Sequence, residues 1–122
     1  MNRRAEFGLE AESAAAELLR GKGYKVVDRR YSVHNFGELD IVASKAGNLV
    51  FVEVKARSSD AFGGAGAAVT PAKRRKMVRA ALFYIKEKAL RPEAVRFDVV
   101  TLGPGGLEHI ENAFSPSEEF TY

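Results

Sequence analysis

The sequence predicts an α/β fold, a mixed β-sheet flanked by helices, with elements in the order α-β-β-β-α-β-β. Three observations predict it. Segments 6–22 and 70–90 repeat apolar residues at helical spacing, while five shorter runs are rich in β-branched and aromatic residues. Glycine, proline and asparagine punctuate the boundaries between them. The 122 residues suit a single domain, 1–122, because two domains of half that length would each have a marginal core.

The first helix, 6–22, carries Leu9, Ala16, Leu19 and several alanines as its apolar stripe, with Gly21 and Gly23 as stop signals. Lys25–Val33 reads as a strand through Val26, Val27 and Tyr31, and 34–37 as a turn. Glu38–Ala43 and Leu49–Ala56 read as two strands joined through residues 44–48, where Gly47 can supply a positive φ. The stretch 57–69 holds three glycines and is read as a flexible loop of the length that usually carries function. Thr70-Pro71 supplies an N-cap followed by proline at the first helical position. The helix so started is expected to reach about Leu90, with Met77, Ala81, Leu82, Tyr84 and Ile85 as its core stripe. Arg96–Leu102 and Leu107–Phe114 form the last strands around a Gly103–Gly106 turn; Phe114 closes the core and 115–122 is a solvated tail bearing Glu118 and Glu119.

Composition narrows the chemistry. The absence of cysteine excludes disulfide scaffolds, thiolate zinc sites and cysteine nucleophiles. The longest apolar run, Ala80–Ile85, falls far short of the roughly 20 residues of a membrane span. The basic start, Met1–Arg4, is followed by no apolar stretch, so a cytoplasmic protein without membrane attachment is expected. His34 and His109 lack partners at metal or triad spacing and read as a turn residue and an exposed strand residue. Charge is uneven: residues 55–79 carry Lys55, Arg57, Lys73, Arg74, Arg75, Lys76 and Arg79 against Asp60 alone, whereas 103–122 carry four glutamates and no base. Such a basic block suits an anionic partner, nucleic acid being the commonest, or a solvated helix face.

The two central strands impose a sharper constraint. On β geometry Leu39, Ile41 and Ala43 share one face and Glu38, Asp40 and Val42 the other; Val50, Val52 and Val54 oppose Phe51, Glu53 and Lys55 in the same way. A tight turn about Ala46-Gly47 sets Ile41 against Val52, Leu39 against Val54, Asp40 against Glu53 and Glu38 against Lys55. Two carboxylates directly opposite, with Cβ atoms about 5 Å apart, are destabilising unless they share a proton or hold a cation. Mg²⁺ is a natural occupant, since it takes one or two carboxylates and leaves positions for water and phosphate. Lys55, two residues beyond Glu53, adds an ammonium to orient a water or touch a phosphate.

The motifs Gly8-x-x-x-Glu12-x-x-Ala15-x-x-x-Leu19, Gly23-Tyr24, Gly37-Glu38-Leu39-Asp40-Ile41-Val42, Phe51-Val52-Glu53-Val54-Lys55-Ala56-Arg57, Phe62-Gly63, Thr70-Pro71-x-Lys73 and Phe97-Asp98-Val99-Val100 occur in this order. In them the chain resembles the bacterial YraN-like family, an uncharacterised group placed in the PD-(D/E)XK nuclease superfamily and similar to archaeal Holliday junction resolvases. The resemblance implies a restriction-endonuclease-like core preceded by a helix that lends an acid to the site. It makes Asp40 the motif aspartate, Glu53 and Lys55 the Glu-x-Lys pair, and Glu12 the helical acid. Leu39 stands at the superfamily's nominal proline, and Arg30 where the family pattern has asparagine.

The resemblance implies a metal-dependent endonuclease that hydrolyses DNA phosphodiesters, with junctions or flaps among its substrates. Asp40, Glu53 and the Val54 carbonyl would hold Mg²⁺ (Mn²⁺ as substitute), Glu12 would join directly or through water, and Lys55 would position the attacking water. Glu38 shares the face of Asp40 and is placed to support Lys55. Arg57 and Lys73 lead the expected phosphate contacts, followed by Arg74 and Lys76, and Phe62 would stack on a base. A symmetric dimer would suit junction cutting, and no small-molecule cofactor besides metal is expected. Two other classes fit the same residues: a nucleic-acid-binding module of nuclease fold without turnover, and a protein-interaction adaptor in which the acid pair is a relic.

Overall fold

The computed structural model describes residues 3–33, 35–56 and 69–116, with side chains from Gly8 onward. Its elements are α1 (Arg3–Gly21), β1 (Lys25–Val33), β2 (Gly37–Lys45), β3 (Asn48–Ala56), α2 (Pro71–Glu87), β4 (Ala94–Gly103) and β5 (Gly106–Phe114), in the predicted order. The strands form one open sheet in sequence order. Every neighbouring pair is antiparallel except β3 and β4, which run parallel across the α2 crossover. No helix among the described residues is long and apolar enough to cross a membrane.

Each face of the sheet buries one helix. On one side Ala15, Ala16 and Leu19 of α1 pack against Ile41, Ala43, Val50, Val52 and Val100. On the other, Met77, Val78, Ala81 and Tyr84 of α2 pack against Val42, Phe51, Phe97, Val99 and Phe114. The α1 side is packed with small residues, and the α2 side carries an aromatic layer, with Phe51–Phe97 and Phe97–Phe114 stacked at 5.7 and 5.0 Å. Two stripe assignments are corrected. Leu9 and Leu82 are 41% and 50% exposed, since the buried arcs run through Ala11, Ala15 and Leu19 and through Met77, Val78, Ala81 and Tyr84.

Helix ends follow local chemistry. Thr70 caps α2 by accepting the Lys73 N–H at 3.2 Å, with Pro71 at the first helical position. The end of α1 is a glycine-dependent reversal: Tyr24 N–H reaches Leu19 C=O and Gly23 N–H reaches Arg20 C=O, with Gly23 at φ +91°. The same pattern closes α2, where Leu90 N–H reaches Ile85 C=O, but Ala89 occupies the left-handed position at φ 53°. That helix therefore stops at Glu87, short of the expected Leu90.

The β2–β3 register is the predicted one: Ile41↔Val52, Val42↔Phe51 and Ala43↔Val50, turning at Ala46-Gly47 with both residues at positive φ. Beyond Ile41 the pleat departs from expectation. β1 and β2 pair at Arg29↔Ile41 and again at Tyr31↔Leu39, skipping Arg30 and Asp40. Arg30 sits at φ 49°, and this kink turns the following residues over. Leu39 consequently packs in the α2-side cluster while Ile41 packs on the α1 side, so the expected shared face of Leu39 and Ile41 breaks at Asp40.

Candidate functional site

Asp40 lies at that break, where the β2–β3 ladder has ended. Its Oδ2 accepts the main-chain N–H of Val54 at 2.9 Å, which ties the carboxyl to β3 one residue past Glu53. Asp40 and Glu53 are close enough to hydrogen-bond through a shared proton. Glu53 is almost wholly buried, its side chain 5% exposed. Burial first, and then the charge of Asp40, push its carboxyl up to about 7, against the pull of Lys73 and Lys55. Burial likewise raises Asp40, opposed mainly by the Val54 N–H. Asp40 and Glu53 are drawn together, but not as the directly opposed ladder pair expected: the β2–β3 register ends at Ile41↔Val52, and the expected pairs Asp40–Glu53, Leu39–Val54 and Glu38–Lys55 are absent from it.

Two ammonium groups reach the same oxygen of Glu53. Lys55 Nζ stands 3.7 Å and Lys73 Nζ 3.4 Å from Oε1, the first from β3 itself and the second from the opening turn of α2. Glu12 approaches from α1: burial raises its carboxyl, with Asp40 as the next cause, and its Oε1 is buried without a hydrogen-bond partner. Arg30 Nε lies 3.9 Å from that oxygen. Among the described residues no three acidic or imidazole groups lie close enough to hold one metal ion together. Asp40 and Glu53 therefore form the inner pair, with Glu12 set back from it. Glu38 is exposed and acts on Asp40 as a like charge that raises its carboxyl.

The expected nucleic-acid contacts divide. Lys73 points into the acid site. Arg74 is partly committed to packing, its Nε donating to Val69 C=O at 3.1 Å and its guanidinium 5.6 Å over Phe114. Lys76 is exposed on α2. Arg57 and Phe62, with His34 and the acids of the tail, lie outside the described residues. A cleft of about 460 Å³ lined by Lys25, Lys45, Gly47 and Arg91 opens at the opposite end of the sheet, beside the β2–β3 turn, and contains none of the predicted site residues.

Residues 11–102 match the family described as "Uncharacterised protein family UPF0102". The chain belongs to this family. A UPF0102 protein of Syntrophomonas wolfei is 44% identical over 118 residues, covering 93% of this chain and all of its own. One from Cupriavidus pinatubonensis is 48% identical over 108 residues, covering 88% and 84% of the two chains. One from Thermodesulfovibrio yellowstonii is 42% identical over 112 residues, covering 91% and 97%.

This UPF0102 chain also contains a polar cluster that sequence reasoning missed. Asp98, wholly buried on β4, accepts two bonds from Arg96 at 2.8 Å, one from His109 Nε2 at 2.7 Å and one from the Asn112 N–H at 2.9 Å. Lys22 Nζ approaches His109 Nδ1 at 2.8 Å; an ammonium can only donate, so Nδ1 accepts and Nε2–H is the donor to Asp98. Arg96 also donates to the Tyr24 hydroxyl. Burial pushes the Asp98 carboxyl up, yet the bonds from His109, Arg96 and Asn112 outweigh it and hold Asp98 below the usual carboxylate range. His109 is thus not the exposed strand residue expected; its side chain is 2% exposed. The available signal was Asp98 itself, a lone acid within an apolar strand, which must find partners if it is buried.

Proposed function

We propose that this chain is a metal-dependent endonuclease of the PD-(D/E)XK type that acts on DNA. The observation that carries the reading is the acid pair of buried Glu53 and part-buried Asp40, tied across two strands, with Lys55 3.7 Å from Glu53. Such a pair fits a hard divalent cation: both donors are carboxylate oxygens, burial disfavours their simultaneous ionisation without a cation, and a third acid oxygen of Glu12 lies nearby unbonded. Asp40, Glu53 and the Val54 carbonyl would hold Mg²⁺ or Mn²⁺, with Glu12 reaching it through water. The ion would neutralise charge that builds on the scissile phosphate. Lys55, fixed by its strand two residues from Glu53, holds the attacking water by hydrogen bonding. Exposed bases of α2 such as Lys76 bind backbone phosphates and set the register of the duplex without reading its sequence.

The test is incubation with duplex, flap, single-stranded and four-way-junction DNA in Mg²⁺ or Mn²⁺, beside Asp40→Ala and Lys55→Ala. Cleavage by the wild type that both substitutions abolish supports the reading. Cleavage surviving in both, or DNA retention with no cleavage on any substrate, overturns it; the second result would leave a nucleic-acid-binding module.

A further inference from the structure

The cation environment of Glu53 contains more than a Glu-x-Lys pair requires. With both acids ionised, Asp40 and Glu53 contribute two negative charges, and Lys55 and Lys73 return two positive ones at 3.7 and 3.4 Å from the same oxygen. These four charges cancel before any metal arrives. A divalent ion entering beside two ammonium groups would be repelled by both, and displacement of one of them would relieve that repulsion.

The two lysines differ in where they are anchored. Lys55 stands on β3 itself, two residues from Glu53, with its side chain 38% exposed. Lys73, equally flexible and 39% exposed, arrives from a different element, the opening turn of α2. Its charge is felt by Asp40 as well as by Glu53. No acid occupies the first turn of α2 to retain it elsewhere.

We infer that Lys73 is a counter-cation standing at Glu53 where a divalent ion would bind, and that its ammonium would move toward solvent and the DNA phosphate when a metal is bound. This rests on the metal-site reading above and adds to it a competition built into the chain. While no metal is bound, Lys73 offsets the charge of buried Glu53 and part-buried Asp40. On metal entry the released ammonium becomes a phosphate ligand, so that the same side chain serves both states.

The experiment is Mn²⁺ binding to the intact protein without DNA, read by water-proton relaxation at about pH 8.5, above the Glu53 titration. Removing a competing cation should tighten binding: Lys73→Met is expected to lower the Mn²⁺ dissociation constant about tenfold, whereas Lys73→Arg, which retains the charge, should stay near wild type. Circular dichroism checks folding, and Lys73→Gln replaces Lys73→Met should the latter not fold. Equal or weaker Mn²⁺ binding in the charge-removed variant overturns the inference. Failure of the underlying reading looks different: Asp40→Asn and Glu53→Gln would then bind Mn²⁺ as tightly as wild type.

Discussion

At Glu53 a carboxyl is buried against a second acid, and the stability of the metal-free protein should record it. The folded state holds the Glu53 proton up to about pH 7, whereas the unfolded chain releases it near 4.5. Between those values the folded state binds more protons, so stability is fully present below the lower value and is lost as pH rises through the upper one. The loss is expected to be about 2–3 kcal/mol between roughly pH 5 and 8, read from urea midpoints, and Glu53→Gln should flatten it. A profile that rises over this range would contradict the buried pair. Arg30 offers a second residue-level case. Its φ of 49° lies where asparagine is tolerated and long side chains are strained. Its ion pair with Glu12, at 3.9 Å and with Arg30 half exposed, is worth little. Arg30→Asn is therefore expected to stabilise by about 0.5 kcal/mol in the same measurement; destabilisation would show the pair with Glu12 to be the stronger effect.

Among the elements, the contrast between the two helix ends explains what could be read from sequence. The reversal after α1 falls on Gly23, a residue whose freedom at positive φ marks it in advance. α2 ends by the same hydrogen-bond pattern with Ala89 in that position, so no local signal marked its end and the helix was expected to run on. Ala89→Gly should relieve that conformation and raise stability by about 1 kcal/mol, visible as a higher urea midpoint with an unchanged slope. Strand pairing was legible for a similar reason: Ala46-Gly47 and the alternation of β-branched residues admit a single register. The kink at Arg30 was not legible, because an arginine gives no hint of a left-handed backbone, and with it the true faces of Leu39 and Asp40 were hidden. The meeting of Asp40 with Glu53 was readable as far as register carries it. The arrival of Lys73 was not, since it depends on where a crossover helix docks, which no local pattern encodes.

On the scale of the whole molecule, the sheet carries two buried charged clusters that pose opposite physical problems. Around Asp98 every charge is answered: one carboxylate receives four hydrogen bonds, and its acidity is strengthened accordingly. Around Asp40 and Glu53 the charges are held against their preference, with both carboxyls raised and a neighbouring acid oxygen unbonded. The first arrangement favours the folded state and joins the end of α1 to β4 and β5 through Lys22, Tyr24 and His109. The second costs stability, a cost that on the metal-site reading proposed above a bound cation would offset. Substitutions should separate the two roles. Asp98→Asn leaves the Arg96 guanidinium without its anionic partner and is expected to destabilise by about 3 kcal/mol, while the thermal shift on adding Mn²⁺ persists. Asp40→Asn should do the reverse at about pH 8, abolishing the Mn²⁺ shift while the protein stays folded. If Asp98→Asn also abolished the Mn²⁺ response in a folded protein, the two clusters would be one cooperative unit. The coupling would then run through the β3–β4 pairing, where Asp98 lies opposite Val52 and Glu53 opposite Val99.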